Sequence, residues 1–394
     1  MPLNLRRALK IMEKYDLDAL VATTPENNYY VSDFWSLSHW TLRGVQVFTV
    51  LPRDGEPAIV LPQSDLDLYA YSSSWIKDIT CYGTFYIEPP KRKGLLESEE
   101  WLIRLAREAR AEQTPMDGLV KILGARWLDN KNIGVDEAGI TFVAWEELKS
   151  KLPSAQIKPG VSIFREIRMV KTAEEIERLK KGAEISEKAV NVALRSVKEG
   201  VNEIDLAREF EVAVAREGGK PLITVFGFGP RSVFPNAMPS ANKLKKGDIV
   251  RFDGGCSYRS YASDIALSAI FGQPTEKHKQ YHAAISKGTE ETINNVKPGV
   301  RASELFNIAM ETTRKSGIPH YRRHHCGHGI GIEVYDMPVV RPTDNTPLEE
   351  GMVLNIETPY YELGFGGLQI EHTIMVTERG HRYLTTPTER LVTL

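Results

Sequence analysis

Two stretches of the chain share one pattern: Leu244-Lys-Lys-Gly-Asp-Ile-Val-Arg-Phe-Asp253 and Leu348-Glu-Glu-Gly-Met-Val-Leu-Asn-Ile-Glu357. Each reads as a charged turn that ends in Gly, then a short apolar strand, then an acid where the strand ends. A second acid follows each copy, Asp264 and Glu371, and each leads into another strand, at 265–271 and 373–377. We therefore expect an internal duplication that brings four carboxylates into one space.

The segments ahead of these strands repeat as well. Val197-Lys-Glu-Gly-Val201 and Val296-Lys-Pro-Gly-Val300 both lead into amphipathic runs, which predicts a matching helix in each copy. Further upstream, Thr172-Ala-Glu-Glu175 is a capping box that marks the start of a long helix. The duplicated part, residues 165–394, is predicted to be an α+β domain with a pseudo-twofold relation between its halves.

The first part of the chain alternates between helical and strand patterns. Asp54-Gly55 between two apolar runs predicts a hairpin, because the pair tolerates the positive φ of a tight turn. We predict helices at 5–14 and 101–112 and strands at 19–22, 46–51, 58–61 and 132–135. This alternation indicates an α/β domain over residues 1–160, with a boundary in the proline-flanked stretch Leu152–Pro159.

Bulk composition predicts an ordinary cytoplasmic enzyme. The chain has 394 residues, 42% hydrophobic and 26% charged, with a formal net charge of -2 that gives no reason to expect nucleic acid or an anionic membrane as a partner. Its start lacks the pattern of a signal peptide, and it contains no apolar run of about eighteen residues. Cys81, Cys256 and Cys326 lack CxxC spacing and favour a reducing compartment. The basic run at 91–93 reads as a solvated loop.

The chemistry of the repeated acids points to metal ions. Four carboxylates cannot share a small space unless they are protonated or neutralised by cations. His328 lies in the glycine-dense stretch Cys326-Gly-His-Gly-Ile-Gly331, where a backbone without side chains lets an imidazole approach a ligand. A lone acid after a strand is usually a cap and a lone His is usually structural, but the duplicated set favours two divalent ions such as Mn, Co, Fe or Zn.

The motifs resemble those of the pita-bread metallopeptidases, which include Xaa-Pro dipeptidase (prolidase), aminopeptidase P, methionine aminopeptidase and creatinase. The resemblance rests on four stretches: Asp253-Gly-Gly-Cys-Ser-Tyr-Arg-Ser-Tyr-Ala-Ser-Asp264, Gly327-His-Gly-Ile-Gly-Ile-Glu-Val334, Ile356-Glu357 and Gln369-Ile-Glu371. The first domain, with Leu17-Asp-Ala-Leu20 and Pro25-Glu-Asn-Asn-Tyr-Tyr30, resembles the extra domain of prolidases and creatinase. The match covers essentially the whole chain and is most like Xaa-Pro dipeptidase.

The resemblance implies a ligand set and a mechanism. Asp253 would bind one metal through both oxygens, His328 and Glu357 would hold the other, and Asp264 and Glu371 would bridge the two. Glu357 would take a proton as a water between the metals attacks an amide and would pass it to the leaving nitrogen. His324 matches a family His that contacts substrate. The implied function is a dinuclear hydrolase that cleaves the Xaa-Pro bond of dipeptides or short peptides, working as a homodimer.

Several positions depart from the prolidase pattern. Asn236 and Tyr335 stand where His is usual, Gln369 replaces an Arg, and Ile265-Ala-Leu-Ser268 lacks a Thr. Asn236 and Tyr335 retain hydrogen-bond donors for a substrate carbonyl or oxyanion, so we include Tyr335 with Glu357 and His324 in the expected catalytic set and Asn236 in the substrate site. These changes leave open a small amide substrate, an amidase or amidinohydrolase, or a metal-dependent lyase.

Other residues have weaker support. His39, in the aromatic loop Phe34-Trp-Ser-Leu-Ser-His-Trp40, is expected to line the substrate pocket, although packing within its own domain explains it equally well. Arg322 and Arg323 are candidates for binding a substrate carboxylate or are simply solvated. A non-catalytic binding domain is disfavoured, because such domains lose the ligands that are complete here.

Overall fold

The computed structural model describes residues 2–88, 94–387 and 390–394, so the basic run at 91–93 lies outside the described residues. The chain forms two compact units, one ending at Arg168 and the other beginning at Met169. The domain limits drawn from the sequence, 1–160 and 165–394, stay a prediction.

The N-terminal unit is built on a seven-stranded mixed sheet. Its strands are β1 (Ala19–Ala22), β2 (Phe48–Pro52), β3 (Ala58–Pro62), β4 (Asp78–Tyr82), β5 (Arg110–Glu112), β6 (Asn132–Val135) and β7 (Gln156–Pro159). They lie in the order β5-β4-β3-β2-β1-β6-β7, antiparallel around β2 and parallel elsewhere. The predicted hairpin around Asp54-Gly55 is the β2–β3 pair, and Gly55 has a φ of 109°.

Helices cover this sheet. They are α1 (Leu5–Lys14), α2 (Pro25–Ser32), α3 (Leu37–Thr41), α4 (Leu66–Tyr71), α5 (Glu97–Glu108), α6 (Pro115–Ala125), α7 (Phe142–Lys151) and α8 (Val161–Arg168). Apolar strand residues pack with α6 in one cluster and with α4 and α5 in another. The predicted helix at 101–112 is wrong at its C-terminal end, because residues 110–112 pair with β4 as an edge strand. There, pairing with the sheet overrides the helix propensity of Arg-Ala-Glu.

The C-terminal unit contains four long helices and the remaining strands. The helices are α9 (Ala173–Arg195), α10 (Glu203–Arg216), α11 (Glu276–Asn294) and α12 (Ala302–Lys315). The strands are β8 (Lys220–Phe228), β9 (Ile249–Tyr258), β10 (Tyr261–Ala262), β11 (Ile265–Ile270), β12 (Gly327–Gly329), β13 (Asp336–Val339), β14 (Val353–Glu357), β15 (Tyr360–Glu362), β16 (Gly366–Leu368), β17 (Glu371–Val376), β18 (His381–Tyr383) and β19 (Val392–Thr393). Thr172 caps α9 in the predicted capping box.

The sheet of this unit shows the predicted duplication. Strands β8, β9 and β11 are neighbours, β11 pairs with β17, and β17 continues to β14 and β12. Helices α9 and α10 precede the first three strands, and α11 and α12 precede the second three. Each half has its own buried hydrophobic cluster. In the first half, the ring centroid of Phe252 lies 4.8 Å from that of Phe210 and 4.9 Å from that of Phe226. The expected fold, an α/β domain followed by a pita-bread domain with pseudo-twofold symmetry, is confirmed.

The first acid lies inside its strand. The sequence pattern places Asp253 at the end of a strand, but β9 continues to Tyr258, and the turn is formed by Arg259 and Ser260 with φ values of 48° and 65°. Added Cβ atoms on Gly254 and Gly255 would lie 2.4 Å from the Ile223 carbonyl and 1.8 Å from the Ser263 carbonyl. The glycines therefore permit close backbone contact rather than a turn.

Among the described residues, no helix combines the length and apolar character that crossing a membrane requires.

Candidate metal centre

Three of the four acids lie in one row across the sheet. Asp253 on β9 pairs with Ala266 on β11, Ala266 pairs with Glu371 on β17, and Glu371 pairs with Glu357 on β14. Directly opposed residues in a sheet project to the same face, and the small side chain of Ala266 leaves space between the acids. The strand register therefore brings Asp253 together with Glu357 and Glu371, which come more than a hundred residues later in the sequence.

Asp264 and His328 join this row from the adjoining backbone. Asp264 comes two residues before Ala266, and His328 on β12 pairs with Asn355, two residues before Glu357. The two-residue period of a strand predicts the same face for each pair. Ligand atoms of Asp264, His328 and Glu371 all lie within 4.8 Å of one another, and the Nε2 of His328 is 3.9 Å from the Oε1 of Glu371.

Burial and mutual repulsion dominate the electrostatics of these side chains. Burial, together with the charges of Asp253 and Glu357, raises the pKa of Asp264 well above its ordinary value, and Glu371 is raised in the same way. Burial raises the pKa of Glu357 to about 7. His328 is 1% exposed, and burial lowers its pKa to about 4. The imidazole is thus neutral, which is the form that binds metal.

The donor set fits divalent metal ions. The Oδ1 atom of Asp264 is buried and has no hydrogen-bond partner among residues 2–88, 94–387 and 390–394, although an unpaired carboxylate oxygen is costly to bury. The Nδ1 of His328 lies 3.0 Å from the Gly329 carbonyl, which fixes the ring and leaves Nε2 facing the acids. A bound cation would satisfy the unpaired oxygen and offset the repulsion that raises these pKa values.

Arg251 lies on β9, two residues before Asp253, and its guanidinium contacts the acid row. Its side chain is fully buried, and Nη1 donates to the Gln369 Oε1 at 2.8 Å and to the Asp253 Oδ2 at 3.4 Å. The Nε donates to the Ser232 carbonyl at 2.9 Å, and Nη2 donates to the carbonyls of Phe234 and Pro235 at 2.6 and 2.9 Å. All five N–H groups of the guanidinium therefore have an acceptor. This residue joins the acid row to the loop that carries Asn236.

Glu357 has two polar neighbours besides the other acids. Gln369 donates from Nε2 to the Oε2 of Glu357 at 3.4 Å, and the Nδ1 of His325 lies 3.3 Å from its Oε1. Glu371 is oriented separately by Asn355, whose Nδ2 donates to its Oε1 at 2.9 Å. Both carboxylates are therefore held by amide or imidazole groups.

The structure brings Tyr335, one further predicted residue, to the ligands. The ring of Tyr335 stacks on His328, with centroids 3.7 Å apart and an angle of 20° between the planes. His324 is exposed and contacts the His325 ring at 4.3 Å, and Asn236 is exposed in its loop. His39 belongs to the N-terminal unit, where Ser36 accepts from its backbone N–H and burial lowers its pKa to about 4. The roles of all four stay predictions.

Sequence reasoning missed His325, Arg251 and Asn355. Arg251 and Asn355 each lie two residues before a predicted acid, so the alternation of a strand was a sufficient signal for them. The sequence has no such signal that His325 lies close to the site of His328. Gly327, with a φ of 140°, interrupts the backbone between His325 and His328, and counting along the sequence does not give the direction of their side chains.

Both units of the chain match known proteins. Residues 177–378, about half of the chain, match the family described as metallopeptidase family M24, and residues 4–170 match the creatinase/prolidase N-terminal domain. A "Xaa-Pro dipeptidase" from Pyrococcus horikoshii is 34% identical over 264 residues, 66% of this chain and 75% of that protein. The prolidase crystal structure from P. horikoshii matches with a TM-score of 0.80 at 26% identity and covers 98% of this chain and 99% of that one. The structure of prolidase from Pyrococcus furiosus matches with a TM-score of 0.77 at 28% identity and covers 97% of this chain and 100% of that one. The chain is a member of metallopeptidase family M24.

Proposed function

We propose that this metallopeptidase is a dinuclear metal-dependent hydrolase that cleaves the Xaa-Pro bond of dipeptides or short peptides. The observation that carries the proposal is the row of acids joined by Asp264 and His328, a donor set suited to divalent cations. The Xaa-Pro specificity is supported by relatives described as Xaa-Pro dipeptidases, including the P. horikoshii protein and one from Lactobacillus delbrueckii that is 26% identical over 396 residues.

Five side chains are proposed to hold the two ions: Asp253, Asp264, His328, Glu357 and Glu371. When bound, Mn, Co, Zn or Fe ions lower the pKa of water and polarise the carbonyl of the scissile amide. The chain's contribution is a rigid set of donors, because four of the five lie on paired strands of one sheet.

Glu357 is the proposed acid–base group. It would accept a proton from the attacking water and deliver it to the leaving nitrogen of proline. Gln369 and His325 lie 3.4 and 3.3 Å from its two oxygens and restrict the rotation of the carboxylate. The hydroxyl of Tyr335 is proposed to donate to the developing oxyanion, and His324, Asn236 and His39 to contact the substrate.

The alternative functions, a small-molecule amidase or a lyase, are not favoured by the relatives, which are described as peptidases. We further propose that the protein works as a homodimer in the cytoplasm.

The test measures cleavage of Ala-Pro and Ala-Pro-Ala by mass spectrometry, with protein stripped by chelator and restored with Mn, Co, Zn or Fe. We expect release of alanine by the metal-restored protein only, and loss of at least about a thousandfold in kcat for Glu357→Gln. Glu350→Gln makes the same chemical change in an exposed turn and is the matched control. Full turnover by Glu357→Gln would refute the assigned role, and no cleavage of any proline peptide by the metal-loaded wild type would refute the proposed function.

A further inference from the structure

A cleft of about 540 Å³ opens on the C-terminal unit beside the metal centre. Its charged and polar lining includes Lys277, His320, Arg322, Arg323, Tyr361 and Glu362. We call it the cationic cleft. No role in the proposed hydrolysis requires it, and its volume is in the range of sites that bind whole small ligands.

The charges of the cationic cleft do not balance. Lys277 pairs with Glu362 at 2.6 Å, which accounts for the one acid in the lining. Arg322 and Arg323 have no ion-pair partner within the described part of the chain, and the buried Nε of Arg323 has no hydrogen-bond acceptor there. Arg322 and Arg323 thus line the cleft without an ion-pair partner among the described residues, and the charge of Arg323 also acts on Glu357 of the acid row. This arrangement favours an anionic ligand.

The floor of the cationic cleft is aromatic and fixed. Tyr281 meets Tyr360 edge to face, with ring centroids 5.1 Å apart. The Tyr360 hydroxyl lies 2.7 Å from the Nε2 of His320 and donates to the Oε2 of Glu362 at 2.7 Å. A floor held in this way offers apolar ring faces to an aliphatic or peptide group while the arginines face its charge.

A short chain of contacts leads from the cationic cleft to the acid–base group. The ring of Tyr361 lies 5.7 Å from the Arg323 guanidinium, and its hydroxyl donates to the Oε1 of Gln369 at 3.2 Å. Gln369 in turn donates to Glu357 at 3.4 Å. The cleft therefore adjoins the Glu357 end of the centre, and Glu357 is the group proposed to protonate the leaving nitrogen. Beyond that nitrogen lies the C-terminal part of a peptide substrate.

We propose that the cationic cleft binds a negatively charged C-terminal part of a substrate longer than a dipeptide, with Arg322 and Arg323 holding a carboxylate. The carboxylate is either the main-chain terminus or an acidic side chain of the residue after proline. This inference rests on the proposed function, since the direction of the peptide follows from the role of Glu357. The volume of the cleft suits one or two residues rather than a single carboxylate group.

The kinetic test compares Ala-Pro, Ala-Pro-Ala and Ala-Pro-Ala-amide. We expect kcat/KM for Ala-Pro-Ala to exceed that of its amide by about 10- to 100-fold, mostly through KM, the range expected for a hydrogen-bonded charge. Arg322→Met and Arg323→Met should each reduce this ratio several-fold, and the double variant should bring it close to one. Arg379→Met, an exposed arginine with 89% of its side chain accessible, should leave the ratio unchanged.

A fourth substrate distinguishes the two sources of the carboxylate. Recovery of kcat/KM by Ala-Pro-Glu-amide identifies an acidic side chain as sufficient, and failure to recover identifies the main-chain terminus. A ratio of one in the wild type, or a ratio that the double variant leaves intact, would show that the arginines are merely solvated and would overturn the proposal. An equal loss with Ala-Pro in the variants would overturn the assignment to longer peptides.

Binding is measured separately, so that the result does not depend on turnover. Calorimetric titration of the metal-loaded protein with Pro-Ala and Pro-Ala-amide should show a preference for the free carboxylate of about tenfold or more, which the double arginine variant abolishes. Preference without cleavage of any peptide would refute the proposed hydrolysis and leave the anion site standing. Cleavage without preference would do the opposite.

Discussion

Replacing Arg251 by methionine tests how the acid row is supported. The change removes five N–H donors from a fully buried side chain and leaves the Asp253 carboxylate, the Gln369 amide oxygen and three backbone carbonyls without that partner. Breaking a buried ion pair by removing one member costs about 3–5 kcal/mol, because the remaining group stays desolvated. We expect Arg251→Met to lower the free energy of unfolding by about 4 kcal/mol and to weaken metal binding, since the loop and Asp253 lose their common anchor.

The assay is urea unfolding of the metal-free protein, followed by calorimetric titration with Mn. Arg251→Lys should recover part of the loss, because an ammonium supplies three donors instead of five. Arg208→Met is the control: this arginine is 66% exposed and pairs with Asp205 at 3.4 Å, so its removal should change stability by less than about 1 kcal/mol. A loss below about 1 kcal/mol for Arg251→Met would refute the reasoning.

Three further substitutions probe the metal centre, the pH dependence and the loop near the site. Asp264→Asn should lower the number of bound ions per chain, measured by elemental analysis after dialysis, and undiminished binding would remove Asp264 from the ligand set. Burial lowers the pKa of His282 to about 4, so its contribution to the free energy of unfolding is fully present above pH 6.5 and falls by up to about 3 kcal/mol as the pH drops toward 4. His282→Leu should therefore make thermal stability less dependent on pH in this range, and an unchanged dependence would contradict this. Glu203 is fully buried and accepts hydrogen bonds from the Nε of Arg231, at 3.1 Å, and from the backbone N–H of Ser240, at 3.0 Å. Glu203→Ala should therefore lower the free energy of unfolding in urea by about 3 kcal/mol. A loss below about 1 kcal/mol would show that other contacts hold the loop.

Much of the fold could be predicted because the signals for its helices and strands lie in short stretches of the sequence. The period of apolar residues marks the strands, Thr172 with Glu175 marks the start of α9, and two copies of the same pattern imply two copies of the same unit. Since residues opposed in a sheet share a face, the acids of the two copies meet once β11 pairs with β17. That pairing depends on the tertiary fold, and the duplication was the only sign of it in the sequence.

The errors have identifiable physical causes. The sequence pattern places Asp253 at a strand end, whereas β9 continues through Gly254 and Gly255, which allow the carbonyls of Ile223 and Ser263 to approach its backbone. The end of the helix at Glu108 was missed because Arg-Ala-Glu favours a helix until an edge of the sheet competes for it. In both cases the deciding contact comes from a residue distant in sequence, which no local pattern reports.

The charges around the site explain why the chain needs an ion there. Asp253, Asp264, Glu357 and Glu371 supply four carboxylates, and the cations nearest to them are the guanidinium groups of Arg251 and Arg323. Two positive charges against four negative ones leave an excess of two negative charges, which agrees with the raised pKa values of the acids. All five N–H groups of the Arg251 guanidinium have an acceptor. Arg323 lines the cationic cleft, and its Nε has no acceptor in the part of the chain that the structure describes. Divalent ions would remove the excess at the row, and because Arg323 would then no longer be the main counter-charge to Glu357, its guanidinium would be available to an anionic substrate. Metal loading should therefore increase the preference for a free carboxylate, which links the two proposals physically while their tests remain separate.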